Sequence, residues 1–293
     1  MKTYKNALNT QDFNISSEIF LRPDTDERAI NVQADILRES VDAILITDNQ
    51  SGQLHMSSLS AGILLKEAGI DPIVQLSCRN RNRVSLLSDI LGCAALDINN
   101  LMLIRGDRVP LEFKPRPKAI LDVSATELIA LANKIKQDEK LPSQNDFLLG
   151  GVVTPIAPKL GWPAKNLTEK VNAGAQFAIT HTCLDIDLIK VYMQRLVETK
   201  LLRRMNLIIG IAILKTAEDA KWLRENRPNV NIPFDAVERL EKANDPNKEG
   251  IIMCAEHLRE LAKIPGISGA HIIAANSVTN IPDAVTLSGI YKA

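Results

Sequence analysis

The stretch Asn100-Leu-Met-Leu-Ile-Arg-Gly-Asp107 is the best single guide to how this chain folds. An apolar run of this length is typical of a buried strand, and here it ends abruptly in an arginine, a glycine and a carboxylate. Glycine is favoured where the backbone turns or approaches a ligand closely. Because α/β enzymes place their reactive groups just beyond the ends of their strands, this stretch predicts a strand that leads into an active site.

Similar apolar runs recur along the whole chain, and amphipathic segments with apolar residues at helical spacing separate them. The predicted strands are Phe13–Phe20, Ala43–Thr47, Pro72–Ser77, Leu101–Ile104, Phe147–Val153, Phe177–Thr180, Leu207–Ala212 and His271–Ala275. The predicted helices are Glu27–Glu39, Ser58–Ala68, Val84–Gly92, Ala125–Ile135, Leu167–Ala173, Leu184–Thr199 and Ala217–Glu225. Strands alternating with helices in this way predict an α/β fold, a (β/α)8 TIM barrel in which residues 1–293 form one domain.

Two stretches are longer than a minimal barrel needs. Arg108–Ser124, which is rich in proline and basic residues, predicts a long loop after the fourth strand. Ile232–Lys263 predicts extra helices before the last strand. Long loops on compact domains are often lids or binding elements.

Charge and hydropathy indicate which partners to expect. Lys plus Arg equals Asp plus Glu at 35 each, so no net field favours nucleic acid or an anionic membrane. A small-molecule substrate is therefore the expected partner. The first residues lack the apolar core of a signal peptide, and no apolar run approaches the roughly 20 residues that a membrane-spanning helix needs. These features predict a cytoplasmic protein without a membrane partner.

No metal site is predicted from the cysteines and histidines. The four cysteines are scattered without C-x-x-C spacing, so neither a zinc knuckle nor a disulfide framework is indicated. Cys254 and His257 lie one helical turn apart, but no further ligands accompany them. We expect the cysteines to be reduced and packed in the core.

A barrel predicts that catalytic groups lie at the C-terminal ends of several strands at once. Polar residues occur at those ends: Glu18, Thr47, Asp48, Gln75, Ser77, Arg105, Asp107, His181 and Asn276. Turns are polar in any protein, which accounts for many of these residues taken singly. It accounts poorly for Glu18 and Gln75, because they lie inside otherwise apolar strands, where a buried polar group without a partner is costly.

Several stretches, taken in order, resemble landmarks of the methylenetetrahydrofolate reductase family. They are Ser17-Glu-Ile-Phe-Leu-Arg-Pro23, Gln75-Leu-Ser-Cys-Arg79, Leu103-Ile-Arg-Gly-Asp107 and Lys170-Val-Asn-Ala-Gly-Ala-Gln-Phe-Ala-Ile-Thr-His181, with Asn231-Ile-Pro233 and Gly250-Ile251 in the extra helical segment. The resemblance covers nearly the whole chain. It implies a barrel that reduces 5,10-methylenetetrahydrofolate to 5-methyltetrahydrofolate, usually through FAD reduced by NADH or NADPH.

The resemblance also implies roles for individual residues. Glu18 matches the family's catalytic glutamate, and Asp107 matches its pterin-site aspartate. His181 stands where the family usually has a pterin-contacting glutamine, and Asn276 is a further expected substrate contact. The residues expected to bind a nucleotide cofactor are Thr47, Gln75, Arg105, Gly106, Asn166 and Lys170.

The reduction of methylenetetrahydrofolate calls for two carboxylates with different roles, and Glu18 and Asp107 are expected to lie in different surroundings. The methylene bridge must open to an iminium before it can accept hydride, and opening requires a proton on the leaving nitrogen. Glu18 in an apolar strand would have the raised pKa that a general acid needs. Asp107 at an exposed strand end would stay ionised and stabilise the developing cation. The alternative is that Asp107 merely pairs with Arg105 and ties down a turn.

The chain departs from the family around the expected flavin. Gly150–Pro158 lacks the tyrosine and histidine that the family commonly has there, and Pro163 and Glu169 replace an aspartate and an arginine. Two mechanisms follow. In one, FAD binds through Thr47, Arg105, Asp107, Lys170 and backbone groups, and the reaction is ping-pong. In the other, NAD(P)H delivers hydride directly to the substrate in a ternary complex.

Other functions remain open at this point. An aldolase or lyase acting on a phosphorylated substrate would need a Schiff-base lysine or a glycine-rich phosphate loop, and neither is evident. The alternative outside the enzymes is a folate-binding subunit that has no reductase activity and serves a methyl-transfer partner. With either function, the chain could form a homo-oligomer or bind a partner subunit.

Arg79, Arg81 and Arg83 form a basic cluster after the third predicted strand. The cluster suits a cofactor phosphate or the glutamate tail of folate, or is simply solvated.

Overall fold

The computed structural model describes residues 3–10, 13–140, 146–227, 229–274 and 277–290. Eight parallel strands form a closed barrel, in which each strand pairs with its neighbour in sequence and the last pairs with the first. The strands are β1 Asn14–Glu18, β2 Ala43–Ile46, β3 Pro72–Ser77, β4 Asn100–Ile104, β5 Leu148–Val153, β6 Phe177–Thr180, β7 Asn206–Ile213 and β8 Gly269–Ala274. Each overlaps a predicted strand, so the (β/α)8 prediction is confirmed.

Helices surround this barrel within the described residues. They are α1 Tyr4–Thr10, α2 Glu27–Leu37, α3 Ser58–Glu67, α4 Arg83–Ala95, α5 Ala125–Lys136, α6 Lys165–Ala173, α7 Ile186–Glu198, α8 Ala217–Asn226, α9 Phe234–Lys242, α10 Pro246–Ala262 and α11 Ile281–Ser288. Helices α9 and α10 confirm the extra helices predicted before the last strand. Residues 105–124 contain neither helix nor strand, which confirms the long loop after β4. Helices α1 and α11 were not predicted.

The helix starts follow local capping chemistry. Asp26, Asn82 and Thr216 each accept a hydrogen bond from a backbone N–H in the first turn of the helix that follows. Ser124 and Glu127 form a reciprocal capping box at the start of α5, so the long loop after β4 ends at a defined residue.

Helix α1 closes the N-terminal end of the barrel. Tyr4 is fully buried, and its ring packs edge-on against Phe177 with 6.0 Å between the centroids. The backbone N–H of Tyr4 donates to Asp71 at 2.6 Å, which fixes the helix to the start of β3. Apolar side chains from several strands, including Leu45 and Ile73, fill the interior above it. The lower barrel is therefore a packed core, and any site must lie at the C-terminal end.

The outer faces of the strands carry the larger apolar cluster, which packs against the surrounding helices. Successive side chains of each strand point alternately to the barrel interior and to the helices, so the interior core and the outer core are separate. On β1, for example, Ile15 and Ile19 face the helices, whereas Ser16 and Glu18 lie on the interior side. None of the helices in the described ranges is long and apolar enough to cross a membrane.

Candidate functional site

Glu18 ends β1 and sits at the mouth of the barrel with only 12% of its side chain exposed. One of its oxygens accepts a hydrogen bond from the Gln50 side chain at 3.1 Å. The other lies 3.8 Å from Nε2 of His271, a buried residue of β8. The Nδ1 atom of His271 is 3.0 Å from the hydroxyl oxygen of Ser16, one layer below Glu18. Glu18 is therefore held from both sides by polar groups inside an otherwise apolar barrel.

Asp107 lies beyond the end of β4, and its side chain is about half exposed. Its carboxylate accepts a hydrogen bond from the backbone N–H of Ser51 at 2.8 Å. The guanidinium of Arg227, just after α8, approaches the same carboxylate oxygen to 3.9 Å and also donates to the Ser51 hydroxyl. The structure shows no Asp107–Arg105 ion pair among the described residues; the cation that faces Asp107 comes from the far side of the barrel mouth.

One short turn connects the two carboxylates. Gln50 and Ser51 are successive residues of a 3-10 turn after β2, and they contact Glu18 and Asp107 respectively. The third residue, Gly52, has φ +70°, and a Cβ there would lie 2.5 Å from the Cα of Val109. Only glycine fits this close approach, so the turn packs directly on the loop that carries Asp107. We call residues 50–52 the bridging turn.

His181 follows β6 on the face shared with Phe177 and Ile179, which places it on the interior side near the mouth. It is half-buried. Burial lowers the pKa of His181 below its ordinary value, and the negative charge of Asp107 opposes part of that shift. The imidazole is therefore neutral at neutral pH, with one nitrogen able to donate and the other able to accept.

Gln75 and Thr47 are buried at the tops of their strands. The Gln75 carbonyl oxygen accepts from the backbone N–H of Asp48 at 3.0 Å, and its amide nitrogen contacts the sulfur of Met102 at 3.9 Å. Asp48 in turn accepts from the N–H of Ser77 at 2.7 Å. Gln75 therefore lies on the interior side of β3, in line with Ile73, and its carbonyl oxygen is held by the backbone of Asp48.

Lys170 and Asn166 lie away from the barrel interior. A Cβ on Gly151 would lie 3.3 Å from Cδ of Lys170 and 3.5 Å from the methyl of Ile129, a residue of α5, so the lysine stem runs along the outer face of β5. The buried Lys170 ammonium donates to the side chain of Asn166. Burial lowers the pKa of Lys170, and Glu169 partly opposes the shift.

Arg105 and Gly106 remain at the mouth. Arg105 is exposed. Gly106 has φ +86°, and a Cβ there would lie 2.7 Å from Cβ of Ser77, so the loop after β4 packs on the end of β3. The glycine therefore marks a turn with a close backbone contact, as its position in the sequence predicted. Asn276, the remaining expected substrate contact, lies outside the described residues.

The three arginines after β3 do not act as one cluster. Arg81 pairs with the buried Asp48 at 2.6 Å and with Asp89 at 3.3 Å. Arg83 pairs with Asp122 at 2.8 Å. Arg79 instead donates from Nε to the carbonyl of Gly106 at 3.0 Å. Arg81 and Arg83 are therefore engaged in ion pairs, whereas Arg79 is bound to the loop after β4.

Four residues of the site were not identified from the sequence: Gln50, Ser51, Arg227 and His271. His271 could have been found, because it is a polar residue inside an apolar strand, the same signal that identified Glu18. The bridging turn has an ordinary polar composition, so nothing in its sequence distinguishes it from other turns. Arg227 reaches Asp107 only because α8 ends above the mouth, which depends on tertiary structure.

Comparison with known proteins supports the family that the sequence motifs resemble. The family model for methylenetetrahydrofolate reductase matches residues 3–289. No curated protein is significantly similar to the chain in sequence.

Solved structures show the same fold. An uncharacterized protein from Clostridium thermocellum that binds two copies of 5-methyl-5,6,7,8-tetrahydrofolic acid superposes with a TM-score of 0.65 at 16% identity, covering 97% of this chain and 96% of that one. DmoA from Hyphomicrobium sulfonivorans superposes with a TM-score of 0.57 at 10% identity, covering 94% of this chain and 86% of that one. Both similarities concern the fold alone, whereas the family model extends over nearly the whole sequence. The chain belongs to the methylenetetrahydrofolate reductase family.

Proposed function

We propose that this protein reduces 5,10-methylenetetrahydrofolate to 5-methyltetrahydrofolate with hydride from NAD(P)H. The observation that carries the proposal is the bridging turn, because it holds Glu18 and Asp107 at one mouth of the barrel through Gln50 and Ser51. Membership of the family and the folate bound by the Clostridium thermocellum protein support a folate substrate.

In this proposal Glu18 is the general acid. It gives a proton to the leaving nitrogen as the bond from that nitrogen to the methylene carbon breaks, which leaves an iminium on the other nitrogen. Gln50 donates to one carboxyl oxygen and His271 lies 3.8 Å from the other, so the carboxyl group is positioned at the mouth of the barrel. The resulting carboxylate recovers a proton from water after product forms.

Asp107 acts on the same intermediate from the other side. Its carboxylate orients the pterin and stabilises the positive charge that develops when the bridge opens. Ser51 donates to one oxygen and leaves the rest of the carboxylate available. The iminium carbon then accepts the hydride that NAD(P)H supplies, and no proton has to move at that step.

We propose that the protein acts without a flavin, because the chain keeps only part of the family's flavin contacts. Among the expected contacts, Lys170 and Asn166 are bonded to each other behind β5, and the carbonyl oxygen of Gln75 is taken up by the backbone N–H of Asp48. The family's tyrosine, histidine, aspartate and arginine at the flavin are also replaced in Gly150–Glu169. We therefore propose direct transfer between NAD(P)H and folate, and derive no step through FAD.

The experiment is an activity assay and an absorbance spectrum on one purified sample. We expect NAD(P)H oxidation that requires methylenetetrahydrofolate, in a protein whose visible spectrum lacks flavin bands. Stoichiometric bound flavin would contradict direct transfer. Folate binding without NAD(P)H oxidation would contradict reduction and favour the second candidate, a folate-binding subunit that serves a methyl-transfer partner; the binding described for the Clostridium thermocellum protein is the observation that supports it.

His181 supplies a pH prediction for substrate binding. Because burial lowers the pKa of His181 below 6.5, the imidazole is neutral above that pH and becomes protonated only on further acidification. Protonation removes its acceptor nitrogen, so the KM for folate should be constant near neutrality and rise on acidification below pH 6.5.

The matched variant is His181→Gln, since an amide keeps a donor and an acceptor but does not titrate. We expect its KM at neutral pH to stay within about threefold of the wild type and to lose the acid rise. His181→Leu should raise KM roughly tenfold or more at all pH values. An identical acid rise in His181→Gln would show that His181 does not contact the substrate.

A further inference from the structure

A basic cavity lies beside the proposed pterin site, between the loops after β3 and β4. It has a volume of about 200 Å³. Its charged lining consists of Arg79 from the first loop and Arg108, Arg116 and Lys118 from the second. Among the residues that the structure describes, no acidic side chain lines it. Four cations therefore converge on one space large enough for several oxygen atoms.

These cations lack carboxylate partners within the described residues. In the described part of the chain, none of the four forms an ion pair with a carboxylate, whereas neighbouring Arg81 and Arg83 both do. Burial and the positive charges of Arg105 and Arg108 lower the pKa of Arg79, with Asp107 opposing. An anion that enters the cavity would reduce this repulsion between like charges.

The cavity is built by backbone contacts between its two loops. Arg79 Nε donates to the Gly106 carbonyl at 3.0 Å, and the N–H of Ile120 donates to the Arg79 carbonyl at 2.8 Å. These bonds fasten the loop after β4 to Arg79 near both of its ends. Gly106 immediately precedes Asp107, so the cavity begins next to the proposed pterin contact.

We propose that this cavity binds the polyanionic end of a ligand whose reacting end occupies the barrel mouth. The shared chemistry is a series of negatively charged oxygens, which guanidinium groups bind in pairs. Two sources fit, namely the tail carboxylates of an oligoglutamyl folate and the pyrophosphate of NAD(P)H. The identity of either ligand rests on the proposed function, whereas the polyanion site itself does not.

The test uses a charge-neutral variant, Arg108→Gln/Arg116→Gln/Lys118→Gln. All three side chains are exposed, so the variant should fold, and Arg79 is left intact because it ties the loops together. The matched control, Lys134→Gln/Arg203→Gln/Arg204→Gln, removes the same charges from exposed positions at the other end of the barrel. Circular dichroism and melting temperature verify folding of both.

Calorimetric titration with inorganic tripolyphosphate tests the site without any assumption about function. We expect binding by the wild type and the control that weakens with added salt, and roughly tenfold or greater weakening in the cavity variant. Equal affinity in the cavity variant and the control, or no binding by the wild type, would overturn the proposal.

Two further titrations identify the source. If the tail binds there, tetraglutamyl 5-methyltetrahydrofolate should bind roughly tenfold tighter than the monoglutamyl form, and only the cavity variant should lose the difference. If the pyrophosphate binds there, the cavity variant should lose affinity for NAD(P)H but not for nicotinamide mononucleotide. A cavity variant unchanged in both comparisons contradicts a role in ligand binding. Failure of the wild type to bind any folate or nucleotide, with tripolyphosphate binding intact, would contradict the proposed function alone.

Discussion

Glu18→Gln should lower kcat for methylenetetrahydrofolate reduction roughly 100- to 10,000-fold, which is the range that a positioned general acid contributes. Glutamine has the shape of the carboxylic acid, and its carbonyl oxygen can still accept the hydrogen bond from Gln50. It has no dissociable proton to give the leaving nitrogen. Rapid-mixing measurement of NAD(P)H oxidation under saturating substrate gives kcat directly.

Two controls separate this effect from a structural one. Glu139→Gln makes the same chemical change at an exposed position after α5, on the opposite end of the barrel, and should keep wild-type kcat. Folate affinity of Glu18→Gln, measured by titration, should change by less than about threefold, since the lost group acts on the transition state. Wild-type kcat in Glu18→Gln would exclude Glu18 as the acid.

Asp107→Asn should lower kcat/KM roughly 100-fold or more, because it removes the negative charge that the proposed mechanism places next to the cationic intermediate. The asparagine carbonyl can still accept from the Ser51 N–H, so the bridging turn should keep its position. Steady-state kinetics with varied folate, at fixed saturating NAD(P)H, measures the loss.

This substitution also decides between a catalytic and a purely structural role. If the carboxylate only ties down the bridging turn, Asp107→Asn should retain nearly full activity, and Asp107→Ala, which also removes the Ser51 contact, should lose it. If the charge acts on the intermediate, both variants should be impaired. A fully active Asp107→Asn enzyme would therefore contradict the proposed role.

The fold was predictable from the sequence because the patterns that indicate strands and helices are local and recur along the whole chain. Each apolar run has the length of a buried strand, and each segment between them has a helical period, so the barrel follows from counting. Helix α1 escaped prediction because seven residues carry too little periodicity, although Tyr4 and Phe177 make it part of the interior core. Strand and helix ends differed from prediction by a few residues, as capping and pairing decide them.

Site residues could be predicted from the sequence only where a polar residue stands within or directly after an apolar strand. Glu18 stands out in an apolar strand, and Asp107 stands out after one. The contacts that connect them come from the bridging turn and from Arg227, which are brought together by tertiary structure and have no common spacing in sequence. Gln75 also stands out in an apolar strand, and in the structure its amide contacts Asp48 and Met102 inside the barrel.

The proposed chemistry predicts the fate of a labelled hydride. The purified protein would be given methylenetetrahydrofolate and NAD(P)H carrying deuterium at both nicotinamide C4 positions, in ordinary water, and the product analysed by mass spectrometry. Direct transfer to an iminium opened by Glu18 predicts 5-methyltetrahydrofolate with one deuterium in its methyl group. A methyl group without deuterium, in which the third hydrogen comes from solvent, or no methyl product, would contradict the account.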